Sequence, residues 1–544
     1  MLRKNSYKWH RISSLIIAIP VLLWAISGFM HPLMTTIRPA VSTQFIRPDS
    51  IDGSKINLSL REALERNAID SFHNFRIIHI DTNWFYQVQI KANTHPVYLS
   101  TRNGNKLKNG DALYAQHLAR LFLEGTPTKP SIAKESNAAG TNRPDNNHNL
   151  QPSELPAATH DCCDAATACV LKNTKGAKVK NVETLSDFDA EYRSINRLLP
   201  VHKVTFDRAD GIRIYVATFG NQFAYAVDDK RARFDTIFAL FHNWSWMDTA
   251  GSLKYLLMTA FLLLTLTTTF LGLYLFFTTK SKKSNGHKMV KARNNHRWTA
   301  VAVSLFTILF AFSGAFHAVE KLKKDTRHLY FNNQTIATAT ADCKPALLRE
   351  QIQQPITNIS AVKLNDTLYW QITKQEKPRQ VPGKEDGRKD LMKNKSVPPP
   401  NALYLKASDL STLHDGEKTY ASYLAGMFSK NNGSDIRSIT AITRFEGEYG
   451  FVNKRLPVWK VQYELNDRER YYIETATGKL AVRIQDRDLY EGYSFALLHK
   501  HHFMDFAGKT GRDISTMFWA MAVVVMIGFG IVLYLKTRSN RRSS

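Results

Sequence analysis

The chain carries one stretch of itself twice. Residues 197–251 align without a gap on residues 454–508, at a constant offset of 257. Pro200 falls on Pro457, Tyr215 on Tyr472, His242 on His499, Met247 on Met504 and Asp248 on Asp505. A second echo lies upstream at an offset of 286, where His10-Arg11 and Ser27-Gly28-Phe29-Met30-His31 are answered by His296-Arg297 and Ser313-Gly314-Ala315-Phe316-His317. Such a chain is expected to build two similar units, so both halves carry the same three histidines.

The apolar runs say where those histidines sit. Arg11 to Met30, Leu253 to Phe277, Trp298 to Phe316 and Ile514 to Leu535 are nearly free of charge. Each is about 20 residues long, which is what a helix needs to cross a ~30 Å hydrocarbon layer. The expectation is an α+β membrane protein with four transmembrane helices in two tandem repeats. Its segments are a first helix within 1–31, an outer region 32–250, a second helix 251–278, a basic linker 279–297, a third helix 298–317, an outer region 318–512, a fourth helix 513–535 and a tail 536–544.

Charge sets the expected orientation. Arg3, Lys4, Lys8 and Arg11, seven Lys/Arg between Lys280 and Arg297, and four between Lys536 and Arg542 flank the apolar runs, with no Asp or Glu among them. Positive flanks stay in the cytoplasm. Both termini and the linker are therefore expected inside, in a bacterial inner membrane, with the outer regions in the periplasm. The net charge of +26 is largely this topogenic set. No zinc-finger, RNA-recognition or basic-helix pattern accompanies it, so no nucleic-acid partner is expected. The first apolar run is long for a signal peptide and lacks a small-residue exit, which makes it an uncleaved anchor.

Each outer region reads as helix plus sheet. Leu60 to Leu64 looks helical, Arg76 to Ile80 and Trp84 to Ile90 alternate like strands, and Tyr98 to Gly104 ends in a turn. Pro345 to Ile352, Ile359 to Leu364 and Leu368 to Thr373 repeat that order, and strands at Val201 to Phe206, Ile212 to Thr218, Val458 to Tyr463 and Arg470 to Glu474 precede each return to the membrane. Pro127 to Leu155 and Lys374 to Pro400 have the composition of mobile excursions.

His10 and His31 are 21 residues apart, as are His296 and His317. At 1.5 Å per residue that is about 31 Å of helix, one histidine at each membrane face. His242 and His499 precede the second and fourth helices. The outer boundary thus collects His31, His242, His317 and His499, and the inner boundary His10 and His296. Neutral imidazole is the usual axial ligand of a b-type haem, and ligation by two histidines suits electron transfer. A single histidine at a helix end is most simply a headgroup-layer residue; six arriving as three related pairs point to one or two haems b with bis-histidine ligation. His501 and His502 are matched by Trp244 and Ser245 and lack that support. His95, His117, His202, His328 and His414 have no counterpart and read as surface or packing residues, and His287 as solvated.

Cys162, Cys163 and Cys169 fall in an insert at about 125–185 that lengthens the first half. With Cys343, a disulfide among them is the default in an oxidising compartment, and soft-metal binding the alternative. No nucleotide-binding glycine motif, P-loop, zinc-protease or esterase motif is present.

The order of His-Arg, apolar helix, Ser-Gly, a module ending Tyr-Tyr-Ile-Glu-Thr-Ala-Thr-Gly-Lys-Leu at 471–480, then Leu-His and a second apolar helix resembles the PepSY-associated transmembrane family. Ser27 and Ser313 stand where that family usually has Thr, and Tyr225 to Lys230 lacks a clean Thr-Gly turn. The resemblance implies PepSY-like periplasmic modules and a haem-dependent reductase of a ferric siderophore or other ferric complex, fed by a quinol or by a membrane or cytoplasmic donor. The alternative is a PepSY-type binding module that restrains a periplasmic peptidase, with the helices as anchors. A sensor or transporter subunit is a third reading.

Overall fold

The computed structural model describes residues 2–46, 48–125, 177–281, 287–323, 330–343, 354–375, 396–429, 435–464 and 468–542, with single positions between 344 and 353. Cys162, Cys163, Cys169, His328 and most of the two expected excursions lie outside the described residues.

In chain order, a long helix α1 (Leu2–Met30) leads to a short helix α2 (Leu60–Glu65), strands β1 (Ser71–Phe72), β2 (Asn74–Ile80), β3 (Asn83–Gln89) and β4 (Val97–Ser100), and helix α3 (Gly110–Glu124). Strands β5 (Val179–Leu185), β6 (Val201–Phe206), β7 (Arg213–Ala217) and β8 (Gln222–Val227) precede helices α4 (Asp229–His242), α5 (Ser252–Thr278) and α6 (Lys288–Glu320). The second half follows with β9 (Ile336–Ala337), β10 (Ile356–Leu364), β11 (Thr367–Lys374), β12 (Leu403–Lys406), α7 (Gly416–Ser429), β13 (Ile436–Ile442), β14 (Val458–Tyr463), β15 (Arg470–Glu474), β16 (Lys479–Ile484), α8 (Asp486–Ser494) and α9 (Gly508–Arg542).

Four helices, α1, α5, α6 and α9, are long and apolar enough to cross a membrane. They pack in a ring, α1 against α5 and α9, and α6 against α5 and α9. Their hydroxyls return to their own backbones, Thr265 to the Phe261 carbonyl, Thr268 to Leu264 and Thr307 to Val303, which satisfies polar groups where no water can. Ile19, Phe270, Leu305 and Phe518 point away from the bundle. The helix α6 begins at Lys288, inside the expected basic linker: long basic side chains reach polar surroundings from a helical backbone, so charge does not end the helix.

Outside the bundle, α3 lies between the antiparallel sheet β2-β3-β4 and the antiparallel sheet β5-β6-β7-β8. Tyr114, Leu118 and Phe122, spaced along one helical face, meet Ile78 and Phe85 of one sheet and Val204 and Ile214 of the other. Gly110 opens this helix where a Cβ would come within 2.8 Å of Tyr98. The helix α7 sits in the same way between β10-β11-β12 and β13-β14-β15-β16. Gly416 opens it, against Tyr404.

The sheets of the two halves share one core. Strand β1 pairs antiparallel with β9, Ser71 opposite Ala337 and Phe72 opposite Ile336. Leu60, Phe75 and Tyr86 of the first half pack with Ile359, Trp370 and Leu405 of the second, Phe75 meeting Trp370 edge-on at 6.2 Å. The Asn74 side chain accepts the Ala361 N–H at 3.1 Å. Cys343 is a buried free thiol in this core. It is the only cysteine among the described residues, and burial pushes its thiol pKa well up.

Two details go beyond the sequence reading. The first half does carry a tight turn, Thr218 to Asn221 between β7 and β8, with Asn221 at φ 51° where Gly478 has φ 64°. Asn tolerates that left-handed conformation nearly as well as glycine. His501, set aside on sequence, is fully buried.

Candidate functional site

Two loops return the chain to the bundle, each through a residue in the left-handed region, Trp244 at φ 52° and His501 at φ 54°. Just before each turn the helical end presents a histidine. His242 stacks on Phe238 at 4.7 Å, and His499 stacks on Phe495 at 4.9 Å. The two imidazoles face each other at 6.1 Å between ring centroids, 76° apart in plane.

Their protonation follows from their partners. Ser27 Oγ donates to the Leu23 carbonyl at 2.7 Å and lies 3.0 Å from His242 Nδ1. The hydroxyl proton being used, His242 donates through Nδ1–H and keeps a bare lone pair on Nε2. Ser313 Oγ donates to the Phe310 carbonyl at 3.2 Å and receives His499 Nδ1 at 3.1 Å. His317 donates through Nδ1 to the Glu491 carboxylate. His31 is the exception, because Lys500 Nζ donates to its Nε2 at 3.1 Å.

All four histidines line one cavity of about 3410 Å³ that runs from Val21, Ala520 and Val523 in the bundle to Arg76 and Gln371 on the sheets. Gly28 and Gly314 line it from the two serine-bearing helices. His10 and His296 lie at the other end of the bundle and do not line it. His10 Nδ1–H donates to the Thr268 carbonyl at 3.1 Å, and a Cβ on Gly272 would come within 3.2 Å of its ring. His296 has the Met526 carbonyl as its neighbour and Gly530 as its cradle, where a Cβ would come within 3.3 Å, and its Nδ1 lacks a well-formed hydrogen bond.

Sequence reading missed two things. His501 stacks on Phe310 at 5.2 Å, takes Ser515 Oγ at 3.0 Å on Nδ1, and has a buried Nε2 without a partner. The run Leu-His-Lys-His-His was its only sequence signal. The second is that His95 and His202, read as packing residues, converge on Asp111: His95 Nδ1 and His202 Nε2 lie 2.8 and 2.7 Å from the same oxygen, Oδ2. His117 is indeed a packing residue, stacked on Tyr114 at 6.1 Å, and His414 is exposed.

No protein-family model matches the chain, and no curated protein is significantly similar to it.

Proposed function

We propose that the protein is a multi-pass electron carrier of a bacterial inner membrane that reduces a periplasmic ferric complex, a ferric siderophore. In this reading the two halves are tandem repeats, each with a PepSY-like module outside. Both termini and Lys280 to Arg297 are cytoplasmic, following the charge asymmetry.

One observation carries the reading. His242 and His499 meet across a large cavity, and each has its Nδ1–H on a serine and its Nε2 lone pair uncommitted. That is the tautomer an axial ligand of haem b needs, fixed by a hydrogen bond from behind. Phe238 and Phe495 hold the ring planes, and Gly28 and Gly314 line the same cavity. The residues present therefore fit such a group at this end, with His317 as a further donor and His31 available once Lys500 withdraws. At the other end His10 sits over Gly272 and His296 over Gly530. A bound haem would supply one-electron redox chemistry. One electron turns Fe(III) into Fe(II), which hard oxygen ligands hold less tightly. A quinol or a membrane or cytoplasmic donor would supply it.

The test is the absorbance spectrum of the full-length protein purified in detergent. A Soret band with a six-coordinate low-spin reduced form is expected, lost or altered in His242→Ala and His499→Ala. A protein without haem after haem-replete expression would sink the reading and favour the tethered peptidase-binding module.

A further inference from the structure

We propose that His95, Asp111 and His202 form a binding site for a divalent first-row transition-metal cation, in the first outer sheet unit and apart from the membrane histidines.

The three side chains come from different places. His95 is on the loop between β3 and β4, Asp111 opens α3, and His202 is on β6. Each offers one ligand atom, and those atoms lie within 4.8 Å of one another. Two imidazoles and one carboxylate are a donor set for zinc or ferrous iron; magnesium and calcium favour all-oxygen sites. The outer partners are in place. Tyr98 Oη donates to Asp111 Oδ1 at 2.8 Å, and Thr184 Oγ1 lies 3.2 Å from His202 Nδ1. Those contacts hold the carboxylate and one ring in orientation, as second partners of metal ligands do. The imidazoles need only move a proton to the far nitrogen, which for His202 faces a hydroxyl able to accept it.

The second half provides the comparison. Glu417 follows the glycine that opens α7, as Asp111 follows the one that opens α3. There the residue 257 positions after His202 is Trp459, whose indole N–H donates to Glu417 Oε2 at 2.9 Å, and Thr475 Oγ1 donates to the same oxygen at 2.7 Å. The same scaffold closes around its carboxylate without any imidazole. Folding therefore does not demand histidines at this node. Among its own nitrogens His95 Nε2 is left buried and without a partner.

Binding requires the site to open slightly. Nitrogen–oxygen separations of 2.7 and 2.8 Å are hydrogen-bond distances. Around a tetrahedral ion with bonds of ~2.0–2.1 Å they become ~3.3 Å. The His95 loop can supply that movement, since His95 is partly exposed.

The experiment is titration of the full-length, chelator-treated protein with Co²⁺ alone, followed by its visible d–d absorption, with Zn²⁺ as competitor. It is done without a histidine tag and in a Cys162→Ser, Cys163→Ser, Cys169→Ser background, so that the insert cannot bind. Saturable uptake with tetrahedral-type bands is expected. His95→Gln and Asp111→Asn should each weaken it by about 10- to 100-fold or more, while the His414→Gln control leaves it unchanged. His95→Gln is the decisive variant because its partial exposure makes misfolding no explanation; an unchanged melting temperature without metal verifies that. No Co²⁺ or Zn²⁺ uptake by the parent protein, or equal uptake by parent and His95→Gln, overturns the proposal.

Discussion

The Ser27 hydroxyl and the His242 imidazole, 215 residues apart in sequence, meet at 3.0 Å. That contact ties α1 to the end of α4, just before the turn that leads into α5. It also decides which nitrogen of His242 stays free. Ser27→Ala should keep the histidine but release its orientation. In the haem reading, affinity should fall by about 10- to 100-fold, measured by haem loss to an apo-globin acceptor, and Ser27→Thr should restore it. Haem retention unchanged in the alanine variant would count against the serine's role.

The charge asymmetry predicts topology. A fluorescent protein fused after Ser544 should shine, and a phosphatase fused there should be silent, with the opposite pattern for fusions within the outer sheets. Phosphatase activity at the C-terminus would invert the whole arrangement.

His501→Ala should destabilise the protein although its counterpart is a tryptophan. The substitution removes a hydrogen bond to Ser515 and a stacked ring on Phe310 from a fully buried site. A loss of about 1–3 kcal/mol is expected, visible as a lower melting temperature in detergent. His414→Ala, on an exposed side chain, should change nothing.

Trp370→Ala should loosen both halves at once. Trp370 is 2% exposed and packs on Phe75 of the other half. Truncating such a residue costs about 3–5 kcal/mol. Limited proteolysis should then cut within both sheet regions; cutting confined to the second half would argue against a shared core.

Asp111 predicts an acid-sensitive contribution. Burial works against its charge, yet His202, His95 and Tyr98 face it and keep its folded pKa below the unfolded value. A depressed carboxylate stabilises fully above the unfolded pKa of ~3.9, and the benefit fades as pH falls toward the folded value. The melting-temperature difference between the metal-free parent and Asp111→Asn should therefore be largest near neutral pH and shrink below about pH 4. A difference that grows on acidification would refute the assignment.

The apolar helices were legible because lipid thickness imposes a length on apolar runs, and β2 and β3 because their apolar residues fall on successive positions, which a sheet buried on both faces requires. Repetition singled out His31, His242, His317 and His499, and the fold brings these four to one cavity. The Asp111 node was not: His95 and His202 are brought to one carboxylate by strand pairing and by the placement of α3, and no local spacing encodes that. The burial of His501 was not legible from histidine repetition, because its counterpart Trp244 fills the equivalent buried position with a different side chain. The helix α3 was legible in principle, since Leu113, Tyr114, Leu118 and Phe122 mark its buried face at helical spacing.

The pairing of β1 with β9 has a consequence for biogenesis. In the proposed topology, the first strand's partner is translated only after the chain has crossed the bilayer twice more, through α5 and α6. Until then the first sheet unit would stand on the far side with an open strand edge and the apolar surface around Phe75 uncovered, a template for wrong pairing. The interval between the two exports would be a window of vulnerability, in which a holdase on that side or rapid translation through the linker protects the nascent protein.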